Sequence, residues 1–149
     1  MNPSEVTKAI YDATNHQRKL NNLPLFRYAG CLERSALLHS GNMVKYNFFS
    51  HTDLINHSFG SPLMRIQLCN GDFQIVGENL AFYPITLGSF PEKVVNGWMN
   101  SPGHKENILN PEFSFVGIGT AFRIIGHCFP YALITQNFGG YIKTQRVWL

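Results

Sequence analysis

The sequence predicts an α+β domain, a three-layer α-β-α sandwich around a small central, mainly antiparallel sheet. Three observations lead there. Apolar residues recur at helical spacing through the first third of the chain, and helix starts return at Ser61-Pro62, Ser89-Phe90-Pro91-Glu92 and Ser101-Pro102. Residues 113–125 and 128–138 read as strands, and Gly126-His127 supplies a two-residue turn between them, as in an antiparallel hairpin. These strands carry apolar groups on both faces, with Val116, Ile118 and Phe122 opposed to Phe113, Phe115 and Ala121. A sheet of that kind is covered on two sides, and helices are the elements available to cover it.

The elements follow in order. Ser4 is placed to cap a first helix whose inner face is Val6, Ile10, Ala13 and Leu20, interrupted by Gln17 and stopped by Asn21-Asn22 before Leu23-Pro24. A second helix covers 31–46, with the stripe Leu32, Ala36, His39 and Met43 and with Leu37 and Val44 beside it. On that inner face His39 reads as a hydrogen-bonded core histidine rather than a ligand. Residues 47–60, including Phe48-Phe49-Ser50-His51-Thr52-Asp53, hold no sustained period and form a loop. Ser61-Pro62 opens a short helix through Leu63, Met64, Ile66 and Leu68, closed by Asn70-Gly71. The first strand is 76–83, where Glu78 shares a face with Val76, Leu80 and Phe82. A carboxylate on an apolar face is costly unless it is paired, hydrogen-bonded or protonated, so Glu78 needs a partner.

Ser89-x-x-Glu92 has the form of a capping box, and Val94, Val95, Trp98 and Met99 lie along one face of the helix it starts. The next helix has Ser101 at its N-cap, Pro102 at its first position and His104 in its first turn, and Asn110-Pro111 ends it. The positive end of the helix dipole disfavours imidazolium there, so the His104 ring is expected neutral, able to ligate a metal or accept a proton. Pro130 marks an edge position or a bulge near the start of the last strand.

With 149 residues, 44% of them hydrophobic and 14% charged, the chain is read as a single domain over 1–149. The net charge of +3 is scattered rather than gathered into a basic face, which argues against nucleic acid as a partner. No apolar run reaches the roughly 18 residues of a membrane span. Met1-Asn2-Pro3-Ser4 lacks the charged-then-apolar start of a signal peptide, as in a cytosolic protein or one whose export signal lies outside this chain. Cys31, Cys69 and Cys128 form no Cys-x-x-Cys motif and read as buried free thiols, with one disulfide plus an odd thiol as the alternative. Asn56-His57-Ser58 fits a glycosylation sequon that matters only in a eukaryotic secretory pathway.

One ordered set of motifs runs through the chain: Asn15-x-x-Arg18, Leu23-Pro24-Leu25, Leu32-x-x-x-Ala36-x-x-His39-x-x-x-Met43, Phe49-Ser50-His51, Gly77-Glu78-Asn79-Leu80, Trp98-Met99-Asn100-Ser101-Pro102-Gly103-His104, Val116-Gly117-Ile118-Gly119 and Gln136-Asn137-Phe138-Gly139. This set resembles the CAP superfamily, or SCP domains, which joins cysteine-rich secretory proteins, antigen 5 and the plant pathogenesis-related proteins. The resemblance extends from about Ile10 to Gly140. The Ser-Pro-Gly-His form and the few cysteines are most similar to the short bacterial branch.

The resemblance implies an α-β-α sandwich with a central cleft, in a secreted or surface-attached protein. In many members two histidines and two glutamates line that cleft and can hold a divalent metal such as zinc. His51, Glu78 and His104 match three of the four. The second glutamate belongs three residues after Trp98, where this chain has Ser101, and Glu106 lies in a different helix beyond the His104 turn. Two neutral imidazoles, one carboxylate and a water suffice for tetrahedral zinc, and with one acid fewer the metal would be held weakly. The same trio can instead be a polar cluster that pins a loop, a strand and a helix together. Asn79 and Asn107 read as amides that satisfy backbone groups.

No residue is assigned as catalytic. Glu78 can serve as ligand or base but not both, and Ser50 points away from its neighbour His51 on an extended chain. The function expected is a binding or interaction module for an unidentified protein, lipid or host molecule, with Phe82-Tyr83-Pro84-Ile85-Thr86-Leu87 as a candidate contact surface. The alternatives are a metal-dependent, protease-like hydrolase using the same cleft, and the lipid or sterol binding of the eukaryotic branch.

Overall fold

The computed structural model describes residues 1–85, 89–124 and 130–142. In chain order they form α1 (Pro3–Leu20), β1 (Arg27–Tyr28), α2 (Gly30–Tyr46), a single 3-10 turn (His57–Phe59), α3 (Pro62–Leu68), β2 (Ile75–Pro84), α4 (Phe90–Met99), α5 (Pro102–Leu109), β3 (Phe115–Arg123) and β4 (Tyr131–Gly140). Helix α1 begins two residues before the start that a Ser4 cap would give. Asn2 is the cap: its side-chain oxygen accepts from the Glu5 N–H at 2.9 Å, and the Glu5 carboxylate accepts from the Asn2 N–H at 2.7 Å. Pro3 then stands at the first helical position, where no donor is needed. The box expected at Ser89 does not form, because the Ser89 side chain makes no capping bond to α4.

The strands form one sheet in the order β1-β3-β4-β2. The β3–β4 and β4–β2 pairs are antiparallel, and β1 lies parallel to β3 through the Arg27 and Ala29 N–H groups, which donate to the Ser114 and Val116 carbonyls. The sheet is thus mainly antiparallel, as expected. Two exposed residues carry no period, which is why β1 escapes a pattern reading. The expected turn at Gly126-His127, and Cys128 with it, lie outside the described residues, but Arg123 and Tyr131 face each other in antiparallel register. Phe113 precedes β3 instead of starting it, with its ring stacked at 5.4 Å on Phe138 in the core. Pro130 falls just before β4, where its carbonyl accepts from the Ile85 N–H and no N–H is asked of it.

Helices α2 and α3 cover one face of the sheet; α1, α4 and α5 cover the other. The larger core lies under the second group and joins Val6, Ile10, Phe90, Val95, Trp98, Val116 and Ile118. Under α2 the apolar cluster is small, Met43 with Leu80 and Leu133, and polar contacts share the interface: Ser40 meets Thr135 at 2.8 Å and Asn137 donates to Ser35 at 3.2 Å. Helix α2 rests almost on the backbone of β3. A Cβ on Gly119 would stand 2.3 Å from the Ala36 carbonyl carbon, and one on Gly117 only 2.2 Å from the Glu33 nitrogen.

The Asn15-x-x-Arg18 pair is explained by the segment it holds. Asn15 donates to the Phe26 carbonyl at 3.2 Å and accepts from the Phe26 N–H at 2.8 Å. Arg18, 1% exposed, donates to the carbonyls of Pro24, Ile108, Asn110 and Phe113 at 2.7–3.2 Å, and its guanidinium lies 4.0 Å from the centre of the Phe26 ring. It ties the end of α1 to the end of α5.

Candidate functional site

β2 is an edge strand, and the candidate site is built against it. Glu78, 7% exposed, faces the α2 and α3 side of the sheet. The partner it requires is Arg65, buried in α3. Arg65 Nη2 donates to Glu78 Oε2 at 2.8 Å and to the His51 carbonyl at 3.0 Å, while Nη1 donates to the Phe59 carbonyl at 2.8 Å. Of the apolar residues of α3 only Ile66 is buried; Leu63, Met64 and Leu68 are exposed. The helix turns its one charged residue inward because a buried carboxylate needs a full opposite charge to offset desolvation. The signal that could have found Arg65 was Glu78 itself, a lone acid on an apolar face with a nearby short helix carrying one cation.

The other carboxylate oxygen fixes His51. Oε1 accepts from His51 Nδ1 at 2.9 Å, so in the neutral ring the proton sits on Nδ1, leaving Nε2 without one. The His51 side chain remains 55% exposed. Its loop is clamped at several points. His39, fully buried as the core histidine expected, donates from Nε2 to the Ser50 carbonyl at 2.7 Å. Burial pushes the His39 pKa down against the opposing pull of Glu78, and the ring stays neutral. Asp53 accepts from the Ile55 and Asn56 N–H groups and from the Asn42 amide at 2.8–3.0 Å. Burial alone would raise the Asp53 pKa, but those donors outweigh it and hold the carboxyl below the usual range.

His104 comes from the first turn of α5. Ser101 holds the N-cap position in the backbone, as expected, but its hydroxyl makes no capping bond; it shares a 2.8 Å hydrogen bond with His104 Nδ1 instead. Burial lowers the His104 pKa first and nearby His51 lowers it further, the same direction expected of a ring at a helix start. Behind the ring runs a buried polar chain from α1 to α5. Gln136 donates to Thr14 at 2.9 Å, Asn79 donates to Gln136 and to the His104 carbonyl at 3.2 Å, and Asn107 donates to Asn79 at 2.9 Å. Asn79 and Asn107 are therefore linkers between strand and helix.

The structure joins His51 to Glu78 and adds Arg65 on the other carboxylate oxygen, while His104 stands near His51 on a separate element, bonded to Ser101. Along the outer edge of β2 runs a groove of about 460 Å³ whose lining includes Phe49, Leu80, Phe82, Lys93, Trp98 and His104. Of the contact surface expected over 82–87, Phe82 lines this groove, Tyr83 also packs on the core with Ile85, and Thr86 and Leu87 lie outside the described residues.

Residues 11–123 match the profile of the cysteine-rich secretory protein family, CAP. The chain belongs to the CAP family. YkwD of Bacillus subtilis is 35% identical over 120 residues, covering 78% of this chain and 44% of that protein. An extracellular protein containing an SCP domain from Bacillus anthracis superposes with a TM-score of 0.72 at 31% identity, over 93% of this chain and 41% of the other. An outer surface protein from Borrelia burgdorferi gives the same TM-score of 0.72 at 26% identity, over 94% and 96% of the two chains. This CAP domain thus spans less than half the length of the two Bacillus proteins.

A divalent metal does not fit the trio as this CAP domain arranges it. Both Glu78 oxygens are engaged, one of them by a buried guanidinium that a dication would have to displace or repel. The position of the second family acid holds Ser101, whose hydroxyl is committed to His104. Among the described residues no group of three or more His, Cys, Asp and Glu side chains is disposed to hold a metal ion. Cys31 and Cys69 are free and partly buried. No helix among the described residues is long and apolar enough to cross a membrane.

Proposed function

We propose that this CAP domain is a binding module of the cell exterior that takes its ligand in the cleft between His51 and His104 and along the groove beside β2. One observation carries the reading: Glu78 spends both oxygens inside the protein, on His51 and Arg65, and so directs neither at the cleft. It orients an imidazole rather than meeting a ligand. The exterior location is supported by the Bacillus anthracis and Borrelia burgdorferi proteins, which are described as extracellular and outer-surface.

A hydrolase is the second reading, and the His51–Glu78 contact is what favours it, since a ring oriented through Nδ1 has Nε2 available as a base. Turnover on a peptide library, measured for the wild type and for folded Glu78→Gln, separates the two. A binding module turns over none of the peptides. Turnover that falls by about 100-fold or more in Glu78→Gln, within the usual worth of a positioned base, would establish the hydrolase. Zinc titration tests the metal. Little or no heat is expected, and one tight site abolished by His51→Ala and His104→Ala would return metal to the function.

A further inference from the structure

We infer that the free edge of β2 is a docking strand for an extended peptide segment that carries a carboxylate, laid down by β-augmentation across the candidate site. The inference rests on the binding reading above and gives its cleft an occupant. It starts from the alternation of the strand. The Ile85 N–H donates inward to the Pro130 carbonyl, and the register sets odd-numbered residues of β2 on that same inner side. From the outer side, Trp98 Nε1 donates to the Leu80 carbonyl at 2.9 Å and Asn107 donates to the Glu78 carbonyl at 3.3 Å. Even-numbered backbone groups therefore point outward. The Leu80 N–H and both the N–H and C=O of Phe82 have no hydrogen-bond partner among the described residues.

Natural edges are usually blunted by a bulge, a proline or inward charge. This one carries Pro84 at its end and the inward-facing Glu78, yet it pairs with β4 from Ile75 to Pro84, and the stretch between them, Leu80 to Phe82, lies along the groove. Phe49 and Phe82, 6.1 Å apart, form the wall on the α2 side. Val94 and Trp98 form the wall on the α4 side, and between them a Cβ on Gly97 would meet nothing within 4 Å. A strand laid in such a slot sends alternate side chains to opposite walls while its backbone completes the ladder. An acyl chain could use the walls but would leave the backbone groups unsatisfied. Among the described residues Lys93 is the only fully charged side chain lining the groove and no acid lines it, so an Asp, a Glu or a terminal carboxylate complements it.

A random octapeptide display library panned against the intact protein supplies the probe, and the most enriched octapeptide is then synthesised. Enriched sequences are expected to be apolar with at least one acid. The synthetic octapeptide should slow amide exchange of Leu80 and Phe82 by about 10-fold or more and leave Ala81 and Tyr83, already in the ladder, unchanged. N-methylation of its alternate residues should abolish binding in one register and spare it in the other. Gly97→Phe should weaken binding by about 10-fold with the melting temperature held, and Lys93→Glu should weaken it while that variant stays folded. No enrichment, insensitivity to Gly97→Phe, or equal loss in both methylation registers would overturn the inference. So would laurate occupying the groove in place of peptide, a result the binding reading survives. Turnover lost in Glu78→Gln would instead overturn the binding reading and leave the docked strand standing as a substrate.

Discussion

Arg65 and Glu78 each account for the other's burial. Removing either one leaves the other charge in a dry site, and Arg65→Met or Glu78→Leu alone should cost roughly 3–5 kcal/mol. The double variant should cost much less than the sum, and a double-mutant cycle in urea measures the difference; additive losses would show that the two are not coupled. The histidines set the pH response. His39 and His104 have folded-state pKa values below the ordinary imidazole value, so the unfolded chain takes up protons first as pH falls. Their contribution is whole above about pH 6.5 and is lost as pH drops through the depressed folded values. Melting temperatures should fall between about pH 7.5 and about pH 5.5, and less steeply in His104→Asn. At this scale the sequence was legible where chemistry and order coincide: His51, Glu78 and His104 could be named, and the need of Glu78 for a partner could be stated. Arg65 could not, because an arginine beside Leu63 and Met64 reads as the wet face of a helix until the sheet brings Glu78 to it. The hydroxyl of Ser101 was misread for a similar reason, since a hydrogen bond to the third residue of the helix can end on its amide or on its ring.

At the scale of elements, the contact of α2 with β3 depends on side chains that are missing. Gly119→Ala places a methyl group against backbone that cannot move aside, and should cost about 1–3 kcal/mol or more by urea unfolding. Gly97 is the contrast. It stands in open space within α4, and Gly97→Ala should raise stability by about 0.4–1 kcal/mol. Helices and long strands were legible because burial on one face imposes a period over several turns. Their ends were less so. Asn2 outcompeted Ser4 because the reciprocal contact with Glu5 was available to it, and Ser89 has no such bond although it stands ahead of a glutamate at the right spacing.

For the whole molecule, the three layers and the mainly antiparallel sheet could be read from strands that are apolar on both faces. The groove could not. It arises because β2, central to the motif Gly77-Glu78-Asn79-Leu80, lies at the sheet edge, and strand order is a property that no local pattern carries. Helix α5 joins the parts of the molecule, with two different fastenings at its two ends. The Ser101–His104 contact and the Asn79 bond to the His104 carbonyl hold its start, and Arg18 grips the carbonyls of Ile108 and Asn110 at its finish. The first fastening includes an ionisable ring. The second sets a permanently charged guanidinium against carbonyl dipoles, which neither acid nor moderate salt can neutralise. Acidification should therefore fray the protein from one side only: amides near His104 should lose exchange protection at about pH 5 while those near Ile108 keep theirs. The cleft would then be the part of this domain that senses its surroundings, and the Arg18 knot the anchor that keeps the response local.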